Sequence, residues 1–154
     1  MSFKEKIGTN ALFAGLSASQ LEFMLDHAKE TEIKAGDLLF RQGAHADRFY
    51  LVLSGQVVVE VPAIYGPALE LQHLGKDQVL GWSWLISPYR WDFQAAAVKD
   101  SVVVEFDGEV ILERCEIDAE FGYSLLKRFT VLMSERLTAA RQKMMDQWTP
   151  SGFA

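Results

Sequence analysis

Apolar positions along the chain change their period twice. Leu21, Met24, Leu25 and Ala28 fall on one face of a helix that Ser17 or Ser19 would cap, preceded by a short apolar stretch from Asn10 to Leu16. From about Lys29 the pattern shortens to β-type runs at 31–34, 38–41, 49–53, 56–61, 69–74, 93–98 and 101–106. Turn residues separate them, among them Ala35-Gly36-Asp37, Gln42-Gly43, Ser54-Gly55 and Gly75-Lys76-Asp77. After Asp107 the helical period returns. Gly108 to Cys115 predicts a short helix, and Asp118 caps a long one running to about Trp148. Its apolar stripe is Leu126, Phe129, Met133, Leu137, Ala140, Met144 and Trp148, with a mean step of about 3.67 residues, which suits a nearly straight helix. Such a helix exceeds roughly 40 Å at ~1.5 Å per residue, more than a barrel of about 80 residues covers. The expectation is that its distal half meets the same helix of a second subunit; the alternative is packing on its own barrel.

Many short strands with regular turns between flanking helices predict a mainly β fold, a jelly-roll or β-roll barrel with a long C-terminal helix. One domain is expected, with an N-terminal helical segment at 1–28, the β-roll at 29–107, C-terminal helices at 108–148 and a tail at 149–154. Composition changes little in this picture: 154 residues, 49% apolar and 23% charged, is ordinary globular usage. Charge changes more. Fifteen basic against 21 acidic residues give −6, which opposes non-specific binding to phosphate backbones. The single cysteine, Cys115, excludes an internal disulfide and a thiolate-rich zinc site, and its place in a helix predicts a buried inert thiol. No apolar run approaches the ~18 residues of a membrane span, and Met1 to Lys6 has no signal-peptide core. A cytoplasmic domain is expected.

The glycine frame carries a resemblance. Ile33-Lys34-Ala35-Gly36-Asp37-Leu38-Leu39-Phe40-Arg41-Gln42-Gly43, then Asp47 to Val57 with Ser54-Gly55, then Leu74-Gly75 and Leu80-Gly81, resembles the cyclic-nucleotide-binding domain family, which includes the catabolite-activator-type bacterial regulators. The resemblance covers roughly residues 12 to 146. It implies a ligand-phosphate cassette after strand six: a glycine, a glutamate, a short helix and an arginine entering the next strand. Backbone N–H groups and the arginine hold the anion, and the glutamate accepts from the ribose hydroxyl.

The cassette stretch here is 81–94, reading Gly81-Trp82-Ser83-Trp84-Leu85-Ile86-Ser87-Pro88-Tyr89-Arg90-Trp91-Asp92-Phe93-Gln94. Trp82 stands where the glutamate belongs, and an indole only donates. Gln94 takes the arginine place in one register; Arg90, four residues earlier, takes it if the loop runs differently. The family's purine-contacting Thr-Ser pair, shortly after an Arg-Leu, is matched here by Ala140-Arg141 after Arg136-Leu137. Three expected contacts are changed, which argues against ordinary cyclic AMP binding. The ligand-binding candidates are Gly81, Trp82, Ser83, Trp84, Tyr89, Arg90, Trp91 and Gln94, with aromatic walls for a flat molecule and Arg90 or Ser83 as polar anchors.

The resemblance thus implies a sensory or regulatory domain that binds a small ligand in the cassette and signals through its C-terminal helix, as a homodimer. The alternative is a ligand-free interaction or dimerisation module whose pocket is filled by its own aromatics. No helix-turn-helix follows the long helix, and residues 116–148 carry five acidic and five basic residues, so direct DNA binding is not expected. His27, His45 and His73 do not form the paired-histidine pattern of a cupin metal site, and no nucleophile triad or phosphate loop is present. No enzyme activity, cofactor or metal is expected.

Overall fold

The computed structural model describes residue 5 and residues 7–147. Trp148 and the 149–154 tail lie outside the described residues. The β-type runs become β1 (Ala28–Ile33), β2 (Leu38–Phe40), β3 (Arg48–Ser54), β4 (Val57–Val61), β5 (Leu69–Leu74), β7 (Gln94–Ala97) and β8 (Ser101–Asp107). A two-residue strand that the periodicity does not mark, β6 (Val79–Leu80), joins them. Two antiparallel sheets result, in the orders β1-β8-β3-β6 and β2-β7-β4-β5. They are not closed. The mainly β roll with a long C-terminal helix is as expected, and it is built as two open sheets.

The first sheet is covered on both faces, which explains the unbroken apolar run of β3. Phe49, Leu51 and Leu53 point to the helices, in a cluster with Val104, Phe106, Trp84, Ile111, Phe121, Leu125 and Phe129. Tyr50 and Val52 point the other way and meet Val57, Val59, Leu74, Leu80 and Ala95 between the sheets. One alternating strand therefore supplies two cores.

The helices begin where capping chemistry allows. Helix α1 (Ala18–Asp26) starts on Ser17, not Ser19: Gln20 N donates to Ser17 Oγ at 3.1 Å, and Ser17 N donates to Gln20 Oε1 at 2.9 Å. Helix α2 (Gly108–Ile117) is capped by Asp107, which accepts from Val110 N at 3.2 Å. Helix α3 (Ala119–Gln147) follows at once, with Asp118 Oδ1 accepting from Phe121 N at 3.2 Å. Its 29 residues extend about 43 Å.

The face that α3 buries is not the expected stripe. Phe121, Leu125, Phe129 and Leu132 pack on the domain, and Arg136 ends the row. Their spacing of 4, 4, 3 and 4 keeps one face inward. Phe129 thus belongs to the domain's own core, whereas Leu126 (50%), Leu137 (72%) and Met144 (65%) are exposed. Beyond Arg136 no described side chain of α3 is buried. No helix is long and apolar enough to cross a membrane, among the described residues.

Of the five glycines in the frame, Gly36, Gly43, Gly55 and Gly81 have positive φ; Gly75 does not, and its N–H instead meets Gln78 Oε1 at 2.8 Å. Gly55 is the most constrained. At φ 94° a Cβ there would strike Ser101 Oγ and lie 2.6 Å from Ser101 Cα, in the tight turn where Ser101 Oγ accepts from Gln56 N at 3.1 Å. Gly36, at φ 91°, has nothing within 4 Å. Gly36→Ala should therefore cost about 1 kcal/mol for backbone strain alone, and Gly55→Ala at least twice that, by urea unfolding. Equal losses would show that the Ser101 contact gives way freely.

Candidate functional site

The cassette begins where β6 ends. Gly81 turns the chain at φ 103°, and residues Ser83–Leu85 make a single 3-10 turn in place of a full helix. A three-residue turn presents no helix N-terminus comparable to the one the resemblance implies. The chain then passes a cis Ser87–Pro88 bond and Tyr89 at φ 58°, and its second half zips onto the 42–46 loop. Ala46 N donates to Tyr89 O at 2.7 Å, Trp91 N to Ala44 O at 3.0 Å, and Gly43 N to Trp91 O at 2.8 Å.

This backbone path decides where the side chains go. Trp91 is buried and stacks on Phe40, with centroids 3.8 Å apart and planes at 15°. Its ring also lies 3.1 Å from where a Gly81 Cβ would stand, so glycine makes the room that the indole fills. Phe40 in turn stacks on Tyr50 at 5.9 Å, whose hydroxyl, held protonated by burial, donates to Leu39 O at 3.2 Å. Trp82 meets Phe93 edge-on at 6.3 Å. What remains between Phe40, Val59, Leu80, Trp82, Trp91 and Phe93 is a cavity of about 20 Å³. That is room for one water. A nucleotide-sized ligand needs a site of roughly 300 Å³ or more.

Of the expected ligand-binding residues, Gly81, Trp82, Ser83 and Trp91 line this cavity, and Trp84, Tyr89, Arg90 and Gln94 do not. Trp84 instead enters the helix-side core, stacked on Phe49 at 5.1 Å and edge-on to Phe129 at 5.2 Å, its Nε1 donating to Gly81 O at 3.1 Å. Arg90 is exposed and donates from Nη1 to Gly43 O at 2.9 Å. Gln94 donates to Glu60 Oε1 at 2.8 Å across the β4–β7 pair. Neither takes a position in the pocket from which to hold a phosphate.

The cation in the wall comes from elsewhere. Arg136 of α3 is only 5% exposed, donates from Nη2 to Val79 O at 3.0 Å, and sets its guanidinium 5.7 Å from the Trp82 ring centroid. Burial pulls its pKa down to about 10, with Glu135 opposing. In the sequence Arg136 stands out only as half of the Arg136-Leu137 pair. The signal that finds it is its place on the face of Phe121, Leu125, Phe129 and Leu132, where an apolar residue belongs.

Other titratable groups are already engaged. His45, Asp47 and Glu109 bring ligand atoms within 4.8 Å of one another, yet His45 Nε2 already meets Glu109 at 3.0 Å and Asp47 accepts from Arg48 at 3.1 Å. His27 packs tilted against Phe23, and His73 pairs with Glu70. Cys115 is partly buried, and burial, with Asp118 and Glu116 nearby, pushes its thiol up to about 11. A thiol so shifted stays protonated at neutral pH. A recess of about 460 Å³ between β1, β8 and the start of α2 is lined by residues that include Lys29, Arg48, Glu105 and Asp107. Lys29 and Arg48 pair there with Glu105 at 3.8 and 3.4 Å.

Residues 30–118 match the family model for the cyclic nucleotide-binding domain. Among solved structures, a protein from Geobacter metallireducens GS-15 described as cyclic nucleotide-binding superposes with a TM-score of 0.80 at 25% identity, covering 89% of this chain and 99% of that one. The sensor domain of the transcriptional regulator DNR from Pseudomonas aeruginosa gives 0.72 at 22% identity, over 90% of this chain and 95% of that one. The catabolite activator protein of Thermus thermophilus gives 0.68 at 23% identity, over 86% of this chain but 61% of that one. No curated protein matches significantly by sequence.

Trp91→Ala tests the packing of the pocket directly. The substitution should cost roughly 3–5 kcal/mol in urea unfolding, and added indole should raise the melting temperature of the variant but not of the parent. A loss under about 1 kcal/mol would show that the Trp91 ring is not packed as described.

Proposed function

The chain belongs to the cyclic nucleotide-binding domain family, and on that premise we propose that it is a regulatory module whose nucleotide pocket is closed by its own side chains. The observation that carries this reading is the Trp91–Phe40 stack, which leaves a cavity of about 20 Å³ where the family's ligand would sit. Three further features support it. Trp82 cannot accept from a ribose hydroxyl, Arg90 is turned outward onto Gly43, and Gln94 is tied to Glu60. The module is non-catalytic, and its output surface is α3.

That surface has a definite period once Phe129 is assigned to the core. Tyr123, Leu126, Thr130, Met133, Leu137, Ala140 and Met144 are spaced 3, 4, 3, 4, 3 and 4, a mean of about 3.5. Tyr123 (68%), Leu126, Leu137 and Met144 are exposed on this line. A repeat of 3.5 brings two helices together in a left-handed pair, whereas the 3.67 of the expected stripe does not. The partner of this seam is a second copy of the same chain, in the cytoplasm.

Two measurements test the reading. Cyclic AMP and cyclic GMP should leave tryptophan fluorescence and melting temperature unchanged, although a ligand at 100 times its Kd stabilises by ~2.7 kcal/mol. A saturable rise in melting temperature would overturn the closed pocket. Leu137→Glu, at a site 72% exposed, should keep the fold and convert a dimer to a monomer in sedimentation. An unchanged mass would remove the seam as an interface.

A further inference from the structure

An imidazole and two carboxylates meet where the loop after β2 passes the start of α2. One ligand atom each of His45, Asp47 and Glu109 lies within 4.8 Å of the other two. The spacing of histidines along the chain does not reveal this set, because Glu109 is 64 residues from His45. Backbone contact brings it in. Gly108 N donates to Asp47 O at 2.8 Å, and a Cβ on Gly108 would lie 3.0 Å from that carbonyl carbon and oxygen. The glycine before Glu109 therefore lets the helix start press against the loop. The loop is held from its other side as well, by Ala46 N donating to Tyr89 O at 2.7 Å.

One imidazole nitrogen with two carboxylates is a mixed nitrogen–oxygen set. It suits zinc, cobalt or nickel(II) rather than magnesium or calcium, which take oxygen ligands. Bonds of ~2.0–2.2 Å to the metal put two ligands of one ion roughly 3–4 Å apart. His45 Nε2 and Glu109 Oε1 stand at 3.0 Å, and rotation about exposed side-chain bonds closes the third corner. The present pairings do not oppose an ion. The His45 and Glu109 side chains are 58% and 67% exposed, and a pair so exposed is weak and readily displaced. Arg48 Nε donates to Asp47 Oδ1 at 3.1 Å, the kind of outer contact that aims a ligating carboxylate. The recess bordered by Asp47 and Glu109 points the same way. Asp26, Glu105 and Asp107 line it too, five carboxylates against the cations of Lys29 and Arg48, and such a balance draws positive ions.

We propose that His45, Asp47 and Glu109 bind one divalent transition-metal ion of the zinc type, joining the 42–46 loop to α2. Water fills the remaining positions of its shell. The same loop is hydrogen-bonded to Tyr89 and Trp91, so the ion ties the second half of the cassette to α2 through one coordination sphere. The site is separate from the aromatic-filled pocket and does not depend on whether that pocket opens.

The experiment titrates the metal-free full chain with Zn²⁺ and, separately, with Mg²⁺ by calorimetry, and follows melting in parallel. Zn²⁺ should bind at one ion per chain and raise the melting temperature, with Mg²⁺ weaker by about a hundredfold or more. His45→Ala and Glu109→Ala, both at exposed positions, should each weaken Zn²⁺ by about tenfold or more without changing how the metal-free protein melts. His73→Ala, which removes the other histidine–glutamate pair, should leave Zn²⁺ binding intact. No saturable Zn²⁺ binding would overturn the proposal. So would undiminished affinity in His45→Ala or Glu109→Ala, loss of the ion in His73→Ala, or Mg²⁺ binding as tight as Zn²⁺.

Discussion

The indole of Trp84 holds the cassette to the rest of the molecule. It lies across Phe49 of β3 and against Phe129 of α3, and its N–H returns to the carbonyl of Gly81 at the start of the same turn. Phe49 is stacked in turn on Phe106 of β8, at 4.6 Å and nearly parallel. One buried aromatic thus fixes the cassette to a strand, to the long helix and to its own backbone. A tryptophan so placed contributes several kcal/mol through burial and packing, and none of its three anchors moves without disturbing the others. Everything after Gly81 is positioned from there.

The rest of the pocket follows from that constraint. With Trp84 committed to the helix-side core, the turn is short and the chain doubles back onto the 42–46 loop. Trp91 then arrives over Phe40, and Arg90, one residue earlier, must face outward. The rings of Trp82 and Trp91 line the small cavity that remains, while Trp84 goes to the helix-side core. Within such a frame the guanidinium of Arg136 is the conspicuous exception: a buried charge in a wall built mainly from rings and aliphatic groups, with Ser83 and Asp92 beside them.

Much of the fold was legible in the sequence, since its signals are local. Glycines at tight turns, a serine before α1 and Asp118 before α3 each report on their own few residues. Strand β6 escaped because two residues carry no period, and its pairing with Tyr50 and Leu51 is wholly non-local. The site was less legible. Aromatics at 82–93 announced a cluster, but which ring entered which core depended on Gly81 and on the loop at 42–46, far apart in sequence. Phe129 fits the outer stripe as well as the inner row, because an apolar residue at helical spacing suits two neighbouring faces, and only the packing of Leu125 and Trp84 beside it separates them.

The inward row of α3 stops at Arg136, while the helix continues to Gln147. Mechanically this makes Arg136 a fulcrum and the following eleven residues a lever of about 16 Å. A tilt of roughly 10° at the fulcrum would carry the tip about 3 Å, enough to slide one row of side chains out of register with another. The fulcrum is held by a hydrogen bond to a single carbonyl and by the face of one indole. A sub-ångström adjustment of that one guanidinium would be magnified along the eleven residues beyond it.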